Sequence, residues 1–504
     1  MSNELISVLK KESGKFFGYM KGNPEKAKSQ IKGKILHEYK RDKINSFSKS
    51  LTKLNIRKDS NILYSFILFL IICFSFLSQA FSSKKIELRR LNANNFITLT
   101  IQASGLQPII NEGFTPLPSS IQINEGELIT ENIVVKYELT SDINTIKMKW
   151  DSQLSSCQNM FKGLEEIISI DLTNFDFQLV TSMQSFFEGC INLKSIDLSN
   201  VNAPAVTDMM NMFFKCKSLI SINFASFKAE KVQDLKFWFG RCEAIESIDL
   251  SSFNTPDLLY LSNTFEGCIS LKDLNIDNML TSKVTHMNSM FHYCNSLTSL
   301  NLNSFNTERV QFMNEMFSHC TSLTSLDLSN FKTPSLFNMY AMFFNDDKLT
   351  SVDLSNFNTM NVINMGHVFE HCYSIKSLNL SHFNTKSATD IYHFFYNCHK
   401  LEYLDISNFN TEKIKNFDGM FTGCYSLTSL DITNFKTSLA ESMDYMFSDC
   451  KNLTTLDLSS FETEKVKKMN HMFKDCIQLT SLDLKNFNTN LVNSMESMFL
   501  GCNY

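Results

Sequence analysis

Residues 321–347 read TSLTSLDLSNFKTPSLFNMYAMFFNDD, and this phrase decides the fold because variants of it fill the C-terminal two-thirds of the chain. Nearly all the other copies end on cysteine, where this one has Asp346. Cysteines recur every 26 residues over 190–320 and again over 372–502. Since the missing cysteine falls at Asp346, residues 165–502 form thirteen units of 26 residues without an insertion, preceded by a half-unit. A fixed period of this length is the sequence signature of a solenoid.

Each unit has two halves when the cysteine is numbered as position 26. The first half, L-x-x-L-D-L-S-N-F from position 3, is apolar at positions 6 and 8 and polar at 5, 7 and 9, which predicts a short strand with one buried face. The second half is apolar at positions 16, 19, 22, 23 and 26, the spacing of one helix face. Thr at position 13 and Pro at position 14 suit a helix start. The sequence therefore predicts strand-turn-helix units.

The repeat resembles that of a known protein family. Residues 323–331 (LTSLDLSNF) and 290–294 (MFHYC) are similar to the repeats of BspA-like leucine-rich repeat surface proteins, also described as mycoplasma-lipoprotein-associated repeats. The likeness covers residues 154–502. It implies a leucine-rich-repeat-like solenoid with an adhesion or matrix-binding role at the cell surface, and no catalytic residues in the repeat.

The N-terminal part of the chain predicts a membrane anchor. Residues 62–81 carry no charge over 20 positions, enough at about 1.5 Å per residue to span a hydrocarbon core of about 30 Å. Residues 1–61 hold 15 Lys and Arg against 6 Asp and Glu, which predicts a basic cytoplasmic tail. The repeats would then lie on the extracellular or lumenal side of a single-pass membrane protein. The alternative is a secreted protein, cleaved after the signal-like Ser78-Gln79-Ala80.

The two ends of the repeat array differ. Residues 86–153 contain ITLTIQA, SIQIN and NIVVKYEL, which alternate like strands and predict a small β-rich cap at the N-terminal end. The chain stops two residues after Cys502, with no equivalent cap. An uncapped end exposes a strand edge, so we expect either end-to-end self-association of two copies or an incomplete reading frame.

Motifs for catalysis are missing from the sequence. The formal net charge of −5 gives no case for nucleic-acid binding over the whole chain. There is no phosphate-binding glycine loop, nucleophile elbow, His-Glu-x-x-His or Cys-x-x-Cys. We therefore expect neither an enzyme nor a cofactor. His367 and His371, with His393 one unit further on, have a spacing that suits a transition metal. Without an obvious fourth ligand, solvated surface histidines are the preferred interpretation, and no metal is expected.

Position 7 forms an acidic column. It is Asp in nine units and Asn in four, between two buried leucines, so it projects from the strand. One interpretation is a binding stripe for a cation or a basic partner. The preferred one is a ladder of side chains that hydrogen-bond to each other and to nearby backbone. If the column does bind, the candidate residues are Asp327, Asp353, Asp405, Asp431, Asp457 and Asp483.

The cysteine column follows the apolar side of each unit. A disulfide needs Cα atoms within about 7 Å, while neighbouring helices lie about 8–10 Å apart. Buried free thiols are therefore preferred over a disulfide ladder. Asp346 would be costly in this column unless its carboxylate tilts into solvent, so it is interpreted as a tolerated break in the stack.

These features combine into one prediction. The fold is expected to be α/β, a leucine-rich-repeat-like solenoid over 154–502 with a β-rich N-terminal cap and one transmembrane helix. Its function is expected to be binding or adhesion, with protein or glycan partners at the cell surface and the strand side as the contact surface. The alternative is a passive spacer or coat protein. Departures from Ser at positions 5 and 9 are scattered along the array, which slightly favours that alternative.

Overall fold

The computed structural model describes residues 95–503, which begin with a group of antiparallel strands. These are β1 (Phe96–Ile101), β2 (Gly105–Pro108), β3 (Ser120–Ile123), β4 (Lys136–Leu139), β5 (Asn144–Lys149) and β6 (Ile167–Asp171). Four of them form a sheet in the order β3-β5-β1-β6, and β2 pairs with β4. Because β6 belongs to the first 26-residue unit, this sheet continues into the repeat array.

The repeat array has a three-residue strand at positions 5–7 of many units. These strands are β7 (Ser195–Asp197), β8 (Ser221–Asn223), β9 (Ser247–Asp249), β10 (Asp273–Asn275), β11 (Ser325–Asp327), β12 (Ser351–Asp353), β13 (Ser377–Asn379) and β14 (Tyr403–Asp405). They pair in parallel with a shift of one whole unit, so that Ser325 lies opposite Ser351 and Asp327 opposite Asp353. The prediction of a repeat solenoid is confirmed.

The predicted helix in the second half of each unit is wrong. Residues 95–503 contain no α-helix, so the fold is a β-solenoid and not an α/β solenoid. In the unit 347–372, the N–H groups of positions 19, 21, 23 and 25 donate to the carbonyl oxygens of positions 18, 20, 22 and 24 of the next unit, at 2.8–3.0 Å. A helix would need these N–H groups to donate within the same segment. In the structure, carbonyl oxygens of the neighbouring unit accept these hydrogen bonds instead.

Backbone conformation explains why a helix cannot form here. Positions 21 and 25 have positive φ, for example 59° at His367 and 62° at His371, and such residues cannot continue a right-handed helix. The apolar spacing comes instead from consecutive turns, in which Glu370 N–H donates to His367 O at 3.3 Å and Cys372 N–H to Phe369 O at 3.2 Å. These turns repeat every two to three residues and produce the same apolar pattern as a helix face.

The prediction of a transmembrane helix is also corrected. No helix long and apolar enough to cross a membrane occurs in the part of the chain that the structure describes, which contradicts a single-pass membrane protein there. The segment on which that prediction was based, 62–81, and the basic residues 1–61 lie outside the described residues.

Thr at position 13 links neighbouring units and does not cap a helix. Thr411 is buried; its Oγ1 accepts a hydrogen bond from Lys436 N–H at 2.7 Å and donates one to Lys436 O at 2.9 Å. Both bonds recur at Thr281, Thr333, Thr359, Thr385, Thr437 and Thr463. The hydroxyl therefore satisfies one N–H and one C=O of the next unit.

Phe at position 23 forms a continuous stack in the interior, as its repetition in all thirteen units predicts. Ring centroids of successive units lie 5.2 to 6.1 Å apart from Phe187 to Phe499, and the rings are nearly parallel. Aromatic pairs of this kind stabilise by about 0.5–1.5 kcal/mol each beyond the burial of their area. The stack therefore contributes to holding each unit on its neighbour.

The cysteines of the described residues are all free. Each thiol at position 26 donates to the carbonyl oxygen of the position-23 Phe in the preceding unit, at 3.0–3.3 Å. Burial raises the thiol pKa, to about 12 for Cys268, so the sulfur stays protonated and can donate. The column is a series of thiol-to-carbonyl hydrogen bonds between units.

Asp346 does not tilt into solvent; it is fully buried in the cysteine column. Its Oδ1 accepts a hydrogen bond from Cys320 N–H at 2.8 Å, and its buried Oδ2 has no partner. Burial raises the pKa of this carboxyl well above its usual range, against a smaller opposing effect of the Cys320 hydrogen bond. A neutral carboxyl carries its proton on one oxygen, and so offers a donor where the other units have a thiol.

The Thr411 bridge gives a stability prediction with a matched control. Thr411→Val keeps the shape of the side chain but leaves Lys436 N–H and C=O without their partner, so we expect a loss of about 1 to 3 kcal/mol. Thr255 occupies the same position and is equally buried, but its hydroxyl has no partner. Thr255→Val should therefore be neutral or stabilising. Denaturant unfolding of both variants measures the difference, and equal losses would contradict a bridging role.

Asp346 gives a pH-dependent prediction. Because the folded pKa of Asp346 is raised above the unfolded value of about 3.9, the contribution of its neutral carboxyl to stability is fully present below that pH. As the pH rises further, this contribution falls by about 1.4 kcal/mol per pH unit until the folded pKa is reached. Asp346→Cys, which restores the thiol, should therefore melt at a higher temperature than wild type, by a margin that grows as the pH rises from 4 until the folded pKa of Asp346 is reached. Asp353→Asn at an exposed site is the control, and a margin independent of pH would refute the neutral carboxyl.

Candidate functional site

The strand face is the surface formed by the exposed side chains of positions 5 and 7. In β11, Ser325 and Asp327 are exposed while Leu326 between them is buried. The structure aligns the predicted acidic residues along this face, with Asp327 opposite Asp353 and Asp405 opposite Asn379. The expected projection of the acidic column from the strand is therefore observed.

Each of the six predicted aspartates also has a local role. Its Oδ1 accepts a hydrogen bond from the backbone N–H two residues later, at 2.9–3.1 Å, which closes the turn after the strand. In Asp431, the Thr433 hydroxyl and N–H lower the carboxyl pKa. In Asp483, Oδ2 also forms an ion pair with Lys485 at 2.8 Å. One oxygen of each carboxylate is thus occupied by the turn, and a ligand for the column stays a prediction.

A second surface, at the turns, differs in composition from the rest of the array. We call it the ring cluster: thirteen aromatic and histidine side chains at positions 20, 21, 24, 25 and 1, joined by centroid distances of 4.2 to 6.1 Å. Its members are His292, Tyr293, His319, Tyr340, Phe344, His367, His371, Tyr373, Tyr392, His393, Tyr396, His399 and Tyr425.

The rings of this cluster reach the surface. Tyr293 is 42% exposed, and the other members are half-buried. Their neighbours across the units fix their orientation, as in Tyr293 and His319, whose rings stack at 4.2 Å. Lys451 lies over the Tyr425 ring at 4.4 Å and ends the cluster on that side. The chain thus presents one contiguous patch of oriented rings.

Glu370 lies at the centre of the ring cluster. It is buried, and His367 Nδ1 and His393 Nδ1 both meet its Oε2, the latter at 3.2 Å. His371 Nε2 meets Oε1 at 3.3 Å. Burial raises the pKa of Glu370, but the hydrogen bonds from the three histidines together outweigh it and hold the pKa well below its usual range. The site is an ionised carboxylate surrounded by three imidazoles.

Sequence reasoning had placed the three histidines near one another and missed Glu370. The sequence predicts solvated surface histidines, whereas in the structure each of them contacts this carboxylate. A signal was present, because Glu370 stands three residues after His367 and such a spacing brings side chains together on a turn as well as on a helix. The rings contributed by neighbouring units left no comparable signal in any single unit.

Comparison with known proteins gives a family match and distant structural similarities. Four stretches match the family model described as "Mycoplasma protein of unknown function, DUF285": residues 135–248, 233–350, 324–427 and 392–504. No curated protein sequence matches the chain significantly.

Two solved structures show what the solenoid is similar to. The first is of the Toll–Spatzle complex from Drosophila, with 14% identity and a TM-score of 0.27, covering 66% of this chain but only 41% of that chain. The second is the functional domain of InlJ from Listeria monocytogenes, described as including a cysteine ladder, with 15% identity and a TM-score of 0.13, covering 60% of this chain and 67% of that one. At these TM-scores, neither similarity carries an argument about function.

The turn role of the strand-face aspartates is testable at Asp431. Asp431→Ala removes the acceptor of the Thr433 N–H and hydroxyl, so we expect a lower melting temperature at pH 7. Asp431→Asn keeps the Oδ1 acceptor and should be close to wild type, as Asn occupies position 7 in four units. Since the folded pKa is lowered, the stabilisation is present above about pH 4 and lost as the pH falls further. A difference between Asp431→Ala and wild type that persists unchanged at pH 2 would argue against this role.

Proposed function

We propose that this chain, which belongs to the family described as "Mycoplasma protein of unknown function, DUF285", is a binding module whose ring cluster contacts a protein or glycan ligand. The observation that carries the proposal is the contiguity of that cluster. A repeat protein needs no such patch in order to fold. Beyond the cluster, position 24 is Ser448 and then Lys474, and the array continues without change.

The chemistry of the cluster suits recognition. Tyr and His combine a flat apolar ring with a hydrogen-bonding edge, and aromatic residues are enriched at the centres of protein interfaces. The rings are held by one another before any ligand arrives, so binding immobilises few side chains and loses little conformational entropy. Ring faces also offer an apolar surface on which the carbon–hydrogen faces of a sugar can lie.

The repeat itself supports the binding of a macromolecule or a glycan. Its resemblance to BspA-like leucine-rich repeat proteins, which have adhesion and matrix-binding roles, favours a macromolecular or glycan ligand over a small metabolite. The shape of the array agrees with this, because a solenoid offers a long surface that contacts a partner at many points. The alternative of a passive spacer predicts that the ring cluster has no ligand.

A binding screen with three variants tests the proposal. The full chain is immobilised and screened against a glycan array and a panel of matrix proteins. Tyr293→Ser, His399→Ser and Tyr425→Ser combined remove rings at both ends of the cluster, and we expect affinity for the ligand to fall at least about tenfold, or 1.4 kcal/mol. The control is Tyr403→Ser, because Tyr403 is an exposed aromatic residue on the strand face.

The outcomes separate the alternatives. Loss of binding in the ring variant, with the Tyr403 variant unchanged, supports the ring cluster as the contact surface. Loss of binding in a variant with Asp327, Asp353 and Asp405 all changed to Asn would place the contact on the strand face instead. No binding to either panel favours the passive spacer. Melting temperatures of all variants show that loss of affinity does not reflect unfolding.

A further inference from the structure

Three metal-ligating atoms converge within the ring cluster. One ring nitrogen of His367, a carboxylate oxygen of Glu370 and one ring nitrogen of His393 all lie within 4.8 Å of one another. We propose that these three side chains bind a divalent transition-metal ion such as Zn²⁺. The proposal does not depend on a ligand for the ring cluster, since the convergence is a property of these three side chains alone.

The spacing between His393 and Glu370 suits zinc. With Zn–N and Zn–O bonds of about 2.0–2.1 Å, the ligands of a tetrahedral ion lie about 3.3 Å from each other. His393 Nδ1 is 3.2 Å from Glu370 Oε2, close to this ligand-to-ligand distance. Two imidazoles and one carboxylate form a donor set that Zn²⁺ uses when a fourth position is open to water or to another ligand.

The backbone holds the two histidines rigidly in place. Both stand at position 21 of successive units, with φ of 59° at His367 and 52° at His393. His367 N–H donates to Tyr392 O at 3.0 Å, and His393 N–H donates to Asp418 O at 2.9 Å. Because these bonds belong to the ladder that joins the units, the separation of the two imidazoles is set by the fold.

His371 orients Glu370 from the side away from the proposed ion. Its Nδ1 lies 2.9 Å from Tyr373 Oη and 3.3 Å from Asn397 Nδ2, and the Asn397 amide can only donate. With Nδ1 as acceptor, the proton of the neutral ring is on Nε2, which is 3.3 Å from Glu370 Oε1. His371 thus holds one carboxylate oxygen and leaves Oε2 for the ion, the arrangement of an outer-shell partner.

The neighbouring units leave room for the rings. Position 21 is Gly419 in the unit after His393, and a Cβ at that glycine would lie 2.5 Å from His393 Cδ2. A side chain there would push the imidazole aside. On the other side, Gly366 lies beneath Tyr392, where a Cβ would lie 3.1 Å from the ring. Gly419 therefore permits the position of the ligand His393, and Gly366 permits that of the neighbouring Tyr392 ring.

The test is a metal titration of the full chain after treatment with a chelator. Isothermal titration with Zn²⁺ should show one equivalent bound, and Co²⁺ should give the visible absorption of a low-symmetry nitrogen and oxygen site. We expect Glu370→Gln and His393→Gln each to weaken Zn²⁺ binding at least 100-fold. His371→Gln, which removes only the orienting contact, should weaken it about 10- to 100-fold.

His471 provides the matched control. It stands at the same position 21, but position 24 of its unit is Lys474 instead of a glutamate. His471→Gln should therefore leave both the stoichiometry and the affinity unchanged. Metal-free melting temperatures show whether each variant is folded, and the rise in melting temperature on adding Zn²⁺ should be lost only in the ligand variants.

Two outcomes would overturn the proposal. If Zn²⁺ does not bind, or binds equally well to Glu370→Gln and His393→Gln, the cluster is a metal-free network of hydrogen bonds. A sulfur-to-cobalt charge-transfer band would show that the metal is held by cysteine instead. Neither result would affect the proposed ligand of the ring cluster, because Tyr293, His399 and Tyr425 are not among the metal ligands and the titration contains no other partner.

Discussion

The backbone ladder between positions 19 and 25 of neighbouring units is the constraint on which the rest of the structure depends. In this segment every second N–H group donates to a carbonyl oxygen of the next unit. The acceptor stands one position earlier in its unit than the donor does in its own. One inserted or deleted residue would move all these donors off their acceptors. Thirteen units of identical length are the result, and the phenylalanine stack and the thiol column follow because each side chain meets the same position of its neighbour.

The sequence was sufficient to predict the solenoid, the strands at positions 5–7 and the buried columns, because these depend on period and alternation. It was not sufficient to exclude helices. Turns in which an N–H donates to the carbonyl oxygen three residues earlier place apolar side chains at the same three-to-four spacing as a helix. The distinguishing signal was position 25, which is Gly, Asn, Asp or His in most units, the residue types that most readily adopt positive φ. Thr at position 13 predicted a helix start wrongly for a similar reason. A hydroxyl that hydrogen-bonds to the backbone fits a helix cap and a bridge between units equally well.

The candidate sites also differ in how far the sequence could predict them. The acidic column could be placed on the strand face from one unit, but its turn bonds could not, because they depend on the local backbone after Asp327 and its equivalents. The ring cluster could not be predicted at all. Its members come from positions 20, 21, 24, 25 and 1 of several units, and only the ladder brings them into contact. The period places His367 and His393 one unit apart, whereas the contacts of Glu370 depend on the turn conformation between His367 and His371.

The ladder also explains why the repeat can vary where it does. Its hydrogen bonds are made by main-chain atoms, so side chains at the turn positions are free to change as long as the backbone keeps its conformation. The units around Asp346 show this freedom. A carboxyl replaces a thiol in the core at Asp346, and in the next unit Gly366, His367 and Glu370 replace ordinary turn residues without any change of register. A regular scaffold held by main-chain hydrogen bonds therefore accommodates such departures from the repeat without losing the contact between neighbouring units.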